Sequence, residues 1–123
     1  MKLLESGENY LKRILILSTK NEHVRSIDLA KDMGFSKPSV SIGLKKLKES
    51  GYVEVDDKGF VTLTERGYEV ASSTLERHET LTAFFVSLGV DEETAKDDAC
   101  KVEHDLSEET FEAIKNRFYS KKH

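Results

Sequence analysis

The chain is poor in cysteine and has no long apolar run, and both absences narrow the class of protein. One cysteine in 123 residues cannot form an intrachain disulfide, which fits a reducing compartment. No apolar stretch approaches the roughly 18 residues that a transmembrane helix needs. The N-terminus also lacks the apolar region and cleavage site of a signal peptide. We therefore expect a cytoplasmic protein with no membrane partner.

Motifs of common catalytic sites are also missing. The chain contains neither the H-E-x-x-H motif of zinc hydrolases nor a glycine-rich phosphate-binding loop. We therefore expect neither an enzyme nor a small-molecule substrate. The alternative is a small metallohydrolase that holds its zinc through Cys100, Glu103 and His104.

The composition predicts a soluble globular protein whose charge is unevenly distributed. Apolar residues make up 37% and charged residues 34% of the chain. The length suits one compact unit or two small ones. Residues 1–66 carry a net charge of +2, whereas residues 67–123 carry −6. This asymmetry suggests that the front of the chain meets polyanions and the back meets cations.

The stretch "SIDLAKDMGFSKPSVSIGLKKLKESGYVEV", which begins at Ser26, predicts two short helices separated by a tight turn. Ser26 is the expected cap of the first helix, and Gly34 ends it. Ser36 is the expected cap of the second, with Pro38 tolerated in its first turn. The predicted buried stripe of the second helix is Val40, Leu44 and Leu47. Two helices around a glycine-containing turn are typical of a helix-turn-helix.

A β-hairpin is predicted directly after these helices. In "YVEVDDKGFVTLT", the turn sequence "DDKG" separates two β-prone runs. A helix-turn-helix followed by a hairpin is a winged helix. The alternative is a generic α+β domain.

The remaining chain is predicted to be all-helical. Thr64 caps one long helix, or two abutting ones, that stop at Gly89. Asp91 caps the next helix, which is expected to run to about His104, and Ser107 caps the last.

The outward face of the second helix in the pair is the expected DNA-binding surface. Small hydroxyls can reach base edges and phosphates, lysines can neutralise phosphates, and an exposed isoleucine can pack on a thymine methyl group. The modest charge of +2 implies a dimer, because one half-site with few phosphate contacts would bind weakly. The alternative is a solvated basic face. The candidate DNA-binding residues are Arg25, Ser36, Lys37, Ser39, Ser41, Ile42, Lys45, Lys46 and Lys58.

A metal site is predicted near the only cysteine. Cys100, Glu103 and His104 stand at i, i+3 and i+4, which share one face of a helix. Thiolate, carboxylate and imidazole suit Fe²⁺, Co²⁺, Zn²⁺ or Mn²⁺. His78 in the preceding long helix is the best candidate for a further ligand. The alternative is a free cysteine beside an exposed Glu-His pair.

The order of these features resembles the metal-dependent transcriptional repressor family of the diphtheria toxin repressor and the manganese transport regulator. The resemblance is carried by "LAKDMGFSKPSVSIGLKKLKESGYVE" and by the pattern "ERH…LGV…A…DACKVEH.LS". It implies a mainly α fold: a winged-helix DNA-binding domain with a small hairpin wing over 1–63, then a helical metal-binding and dimerisation domain over 64–123. The third, SH3-like domain of larger members has no counterpart in this sequence.

The resemblance also implies a ligand set. His78, Cys100, Glu103 and His104 match the family's ligand positions, whereas the positions on the first helix hold Asn9 and Lys12 instead of an Asp or Met and a Glu. Because a lysine is a cation and repels a second divalent ion, we expect one metal per protomer, with Asn9 as an additional ligand. The thiolate favours Fe²⁺, Co²⁺ or Zn²⁺ over Mn²⁺.

The expected function is therefore that of a homodimeric, metal-responsive repressor of metal-uptake genes that binds double-stranded operator DNA. One alternative is a regulator of the same family that has lost metal sensing, with Lys12 in place of a metal. Another is a thiol sensor built on Cys100, which the acidic neighbours Asp97 and Asp98 disfavour because they oppose thiolate formation.

Overall fold

The computed structural model describes residues 5–120, which are mostly helical. They form two compact units, one up to Ser73 and one from Thr74, and the division falls within α4. No helix in this part of the chain is long and apolar enough to cross a membrane. The elements are α1 Glu5–Lys20, α2 Ser26–Met33, α3 Lys37–Glu49, β1 Val53–Val55, β2 Val61–Leu63, α4 Glu65–Ser87, α5 Glu92–Val102 and α6 Glu108–Ser120.

The core of the first unit is built from the apolar stripes of its helices and the inward residues of its strands. The predicted stripe of α3 is buried, which confirms the helical spacing on which the prediction rested. The largest of the almost fully buried side chains in this unit are Leu11, Ile14, Leu29, Val40 and Val53. Burial of each such side chain stabilises the fold by about 1.5–3 kcal/mol. The buried stripe of α3 therefore holds this helix on the core, while its opposite face stays in solvent.

The predicted helix-turn-helix is confirmed. Gly34 ends α2 in the left-handed conformation, with a φ of 70°, and the Phe35 N–H donates to Ala30 O at 3.0 Å. Ser36 caps α3 by accepting the Ser39 N–H at 3.3 Å. These two residues set the turn because a left-handed backbone suits glycine and a helix start needs a side-chain acceptor.

The expected cap of α2 is wrong by one residue. Arg25, not Ser26, is the N-cap and has an extended backbone, with φ −116° and ψ 166°. Its N–H donates to the carboxylate of Asp28 at 2.9 Å. The backbone before α2 is extended because it pairs with the wing, which shifts the helix start to Ser26.

The predicted wing is an antiparallel hairpin with Val53 opposite Leu63 and Val55 opposite Val61. The turn is held by Asp56, whose Oδ1 accepts the N–H groups of Lys58 and Phe60, each at 2.9 Å. An aspartate that bonds to the backbone two residues later is a common turn device.

Helix α1 is fixed to the helix-turn-helix by a close packing contact and by an ion pair. The Tyr10 ring lies so close to Gly43 of α3 that a Cβ there would meet it at 2.8 Å. The guanidinium of Arg13 donates to both Asp32 oxygens, at 2.6 and 2.8 Å. These hydrogen bonds lower the pKa of Asp32, whereas burial raises the pKa of Tyr10.

The start of α4 contacts the end of the helix-turn-helix. Thr64 accepts the Gly67 N–H at 3.1 Å, which confirms it as the cap, and its hydroxyl donates to Gly51 O at 2.7 Å. A Cβ on Gly67 would lie 1.9 Å from the carbonyl oxygen of Tyr52. Only a glycine permits this approach of a helix to a backbone carbonyl.

In the second unit, α4 is one continuous helix rather than two abutting ones. Asp91 caps α5, as predicted, by accepting N–H groups at 3.1 and 3.4 Å, and Ser107 caps α6 by accepting the Thr110 N–H at 3.1 Å. Helix α5 ends at Val102 with Glu103 as its C-cap, close to the predicted end at about His104. The largest buried apolar side chains of this unit are Leu81 and Phe111.

We predict that Gly67→Ala lowers the free energy of unfolding by about 2–4 kcal/mol, because a methyl group must displace the Tyr52 backbone. The control is Ser73→Ala on the exposed side of the same helix, which should change it by less than about 0.5 kcal/mol. Urea unfolding followed by circular dichroism measures both. Equal midpoints for the two variants would show that the contact is not tight.

Candidate metal centre and nucleic-acid interface

A buried carboxylate brings three of the predicted metal ligands together. Glu103 is 1% exposed, and its Oε2 lies 2.9 Å from His78 Nδ1. Its Oε1 lies 3.3 Å from His104 Nε2. Each oxygen of this carboxylate therefore faces an imidazole nitrogen. One imidazole belongs to His78 of α4, and the other belongs to His104, the residue after Glu103.

The end of α5 determines how these groups are presented. Glu103 is the C-cap of α5, keeps a helical backbone and donates its N–H to Ala99 O at 2.9 Å, while His104 lies in the turn beyond it. That both side chains share a face with Cys100 stays a prediction. Cys100 stays inside α5, is partly exposed and forms no disulfide. Among residues 5–120, no group of three or more His, Cys, Asp or Glu side chains is arranged to hold an ion.

Arg77 holds the backbone of this turn and was missed by the sequence reasoning. Its Nη1 donates to Glu103 O at 3.1 Å and to Leu106 O at 2.6 Å. Its Nη2 lies 3.5 Å from a carboxylate oxygen of Glu108, and the guanidinium lies 5.1 Å from the centre of the Phe111 ring. The only signal was its place next to His78, which does not reveal a target in the chain about 26 residues later.

The donor types fit a divalent transition ion. Two imidazoles and a carboxylate in mutual contact, with a thiol one helical turn earlier, are ligands that such ions prefer. A buried carboxylate is stable only with hydrogen-bond or charge partners, and here His78 and His104 supply them. Coordination at Glu103 would therefore replace the His78 hydrogen bond and the His104 contact by bonds to the ion.

The two atypical residues of the first helix both lie in α1, within the first unit. Asn9 is partly buried, and Lys12 is 4% exposed. A buried ammonium needs compensation, and no buried side-chain nitrogen or oxygen in the described chain lacks a hydrogen-bond partner. Ligation by Asn9 stays a prediction.

The predicted DNA-binding residues are all exposed. Those on α3 lie opposite its buried stripe, and Ile42 is 59% exposed. Ser36 donates its hydroxyl to Ser39 at 2.9 Å, so these two side chains form one polar group at the start of α3. Lys58 lies in the hairpin turn, and Arg25 precedes α2.

An open groove of about 400 Å³ lies beside α3. It combines an apolar floor with hydroxyl and ammonium groups, which suits a sugar-phosphate backbone. Of its polar residues, Ser26 was not among the predicted contacts, whereas Lys48 lies on the predicted outward face of α3. The lining residues are Ser26, Ser41, Leu44, Lys45, Lys48 and Val55.

Two family models match consecutive parts of the chain. Residues 2–61 match the iron-dependent repressor N-terminal DNA-binding domain. Residues 64–121 match the iron-dependent repressor metal-binding and dimerisation domain. Together they cover almost the whole chain.

Similar proteins are transcriptional regulators by name. An uncharacterised HTH-type regulator of Methanocaldococcus jannaschii is 41% identical over 113 residues, which are 90% of each chain. The regulator MntR of Escherichia coli O157:H7 is 35% identical over 116 residues, which are 94% of this chain and 74% of MntR.

Solved structures with the same fold include two manganese-linked regulators. The manganese regulator SloR has a TM-score of 0.83 and 29% identity over 92% of this chain. A manganese-dependent transcriptional repressor in complex with manganese has a TM-score of 0.82 and 31% identity over 90% of this chain. This chain spans about half of their lengths, 53% and 51%.

We predict that Arg77→Ala lowers the free energy of unfolding by about 2–3 kcal/mol, because two partly buried carbonyl groups lose a charged donor. Arg77→Lys should recover part of this loss, since an ammonium cannot reproduce the planar guanidinium. Urea unfolding measures the stability, and the imidazole NMR signals of His78 and His104 should shift in both variants. Arg117→Ala on the exposed part of α6 is the control. If Arg77→Ala behaves like that control, Arg77 does not hold the turn.

Proposed function

The chain belongs to the iron-dependent repressor family, and we propose on that premise that it is a homodimeric transcriptional regulator whose affinity for operator DNA depends on a divalent metal. The observation that carries the proposal is the joint presence of an exposed basic helix in a winged helix-turn-helix and a His-Glu-His contact at the family's ligand positions.

DNA binding is assigned to α3 and the wing. The helix buries one stripe and leaves Lys45, Lys46 and the Ser36–Ser39 group in solvent. A helix of this kind enters the major groove, where lysines neutralise phosphates and small side chains approach base edges. Exposed Ile42 would contact a thymine methyl group.

Dimerisation is supported by the family domain matched over 64–121 and by the modest charge of the first unit. Two copies double the number of phosphate contacts and match a palindromic operator.

Metal binding is assigned to His78, Cys100, Glu103 and His104 of the second unit. Ligation by Asn9 remains a prediction from the sequence. When bound, the ion would supply a positive charge shared by these donors. Its binding favours whichever conformation presents the donors together, and DNA binding is raised if that conformation is also the DNA-competent one.

The preferred ion is proposed to be Fe²⁺, Co²⁺ or Zn²⁺, one per protomer. A thiolate is a softer ligand than Mn²⁺ prefers, and the Lys12 ammonium on α1 opposes a second cation. The manganese-linked relatives argue in the other direction, so the ions must be compared directly.

A second candidate function is metal-independent regulation. The burial of Lys12, with 4% exposure, favours it, because a cation buried at this family position can stand in for a metal. The carboxylate of Glu103 also already contacts two imidazoles, so it has partners without a metal ion.

For the metal response, we predict that saturating Fe²⁺, Co²⁺ or Zn²⁺ raises DNA affinity at least about tenfold, a coupling of roughly 1.4 kcal/mol. Cys100→Ala should lose most of this rise, whereas the control Ser87→Ala should keep it. The measurement is fluorescence anisotropy of a duplex selected by the protein from a random pool, at fixed salt and under anaerobic conditions.

A rise of less than about twofold with every ion, Mn²⁺ included, would favour the metal-independent function. Lys12→Glu tests the stoichiometry, because replacing a cation by a carboxylate should increase the bound ions from one to two per protomer, as counted by calorimetry.

For DNA binding, we predict that Lys45→Gln and Lys46→Gln each weaken binding and reduce the slope of log affinity against log salt by about 0.9 per lost phosphate contact in each half-site. Lys96→Gln removes an exposed positive charge from α5 and serves as the matched control. If both α3 variants keep the DNA affinity and the salt slope of the parent protein, α3 is not part of the DNA interface.

A further inference from the structure

An aromatic residue of the wing holds two basic side chains from the segment before α2. The His23 ring stacks on the Phe60 ring with centroids 4.1 Å apart and planes within 7° of parallel. The Arg25 guanidinium carbon lies 4.6 Å from the same ring centre. We call His23, Arg25 and Phe60 the Phe60 cluster.

The backbone around the Phe60 cluster is fixed from both sides. Arg25 pairs with Phe60 in an antiparallel bridge, and the Val61 N–H donates to Val24 O at 2.7 Å. The Phe60 N–H is held by Asp56, and the Arg25 N–H by Asp28. The segment before α2 is therefore joined to the wing by an isolated bridge beside the two-stranded hairpin, and hydrogen bonds fix the backbone from which the side chains of the Phe60 cluster extend.

The basic side chains of the Phe60 cluster remain open to solvent. The His23 side chain is 55% exposed, and Arg25 is exposed. Across residues 5–120, no carboxylate forms an ion pair with the Arg25 side chain, whereas Glu22 lies 4.0 Å from His23 Nε2. A guanidinium stacked on a ring keeps its N–H edge available for a planar anion such as phosphate.

The Phe60 cluster is continuous along the chain with the groove beside α3. Ser26 follows Arg25 directly and lines that groove together with Lys45 and Lys48. Lys58 belongs to the same hairpin as Phe60. Basic and hydroxyl groups therefore continue from the wing into the groove, as a DNA strand would require.

We propose that the Phe60 cluster is a phosphodiester-binding site for operator DNA, separate from α3, in which Arg25 and His23 contact the backbone and Phe60 is the positioning residue. The proposal rests on the proposed DNA-binding function. Neutral or charged, the His23 imidazole has an N–H to donate to a phosphate oxygen. Stacking restricts the rotamers of both basic side chains before DNA arrives, so less freedom is lost on binding.

The test is a double-mutant cycle on the selected duplex, read by fluorescence anisotropy between 50 and 200 mM salt. We expect Arg25→Gln to weaken binding about fivefold to tenfold and to lower the salt slope by about 0.9 per contact. Phe60→Leu should weaken binding about threefold, and the double variant should be no weaker than Arg25→Gln alone, because the residues act together. Phe60→Tyr should match the parent protein, and His23→Ala should weaken binding about twofold or more.

The proposal is overturned if Arg25→Gln and Phe60→Leu act independently, so that their losses multiply, or if Arg25→Gln and His23→Ala bind like Lys96→Gln. Should Phe60→Leu unfold, Arg25→Lys is tested in its place. Weaker DNA binding by Arg25→Lys supports a role for the guanidinium stacked on Phe60, and the affinity of the parent protein contradicts it. Binding that is weakened by Lys45→Gln but untouched by the cluster variants would sink this inference alone. Absence of any DNA binding by the parent protein would sink the proposed function with it.

Discussion

The second unit depends on how one buried carboxylate is satisfied. Glu103 is almost fully enclosed, and an enclosed carboxylate must be matched by donors. His78 and His104 bond its two oxygens, while Arg77 binds the carbonyl of the same residue. Consequently α4 provides both the imidazole for the side chain and the guanidinium for the backbone, and the end of α5 is fixed to it. The same contacts bring two imidazoles and a carboxylate of the predicted ligand set together.

The first unit solves a different problem, which is to hold a helix firmly by one face while the other stays free. The close approach of Tyr10 to Gly43 packs α1 tightly on α3, because the gap admits no additional methyl group. Gly67 of α4 packs in the same way on Tyr52, which follows α3. The exposed lysines of α3 are therefore carried on a rigid support, and their charge remains available to a polyanion.

Local signals in the sequence account for most of the fold. Gly34, Ser36 and Asp91 each control their own backbone, so the turns and caps that they predict are confirmed. The cap of α2 could not be predicted because pairing of Arg25 with the wing decides where that helix starts. The domain boundary at 63/64, the ligand set and the DNA contacts remain predictions.

Long-range contacts limited what could be predicted of the candidate site. The turn after α5 is held by Arg77, which lies on α4 and donates to two backbone carbonyl groups. Every residue has a backbone carbonyl, so a sequence pattern cannot indicate which ones a side chain binds. The His78–Glu103 contact joins residues 25 positions apart. The sequence indicates His78 as a further ligand from its place in the preceding helix, but it does not predict this hydrogen bond. The role of Phe60 depends on side chains that meet across the wing.

The contact between Tyr10 of α1 and Gly43 shows that different faces of α3 are under different constraints. Gly43 faces α1 and leaves no room for a side chain, whereas the solvent-facing residues of α3 do not pack in the core. Substitutions on the solvent face can therefore accumulate one at a time without repacking the core. Variation among relatives should be wide at the outer positions of α3 and nearly absent at Gly43.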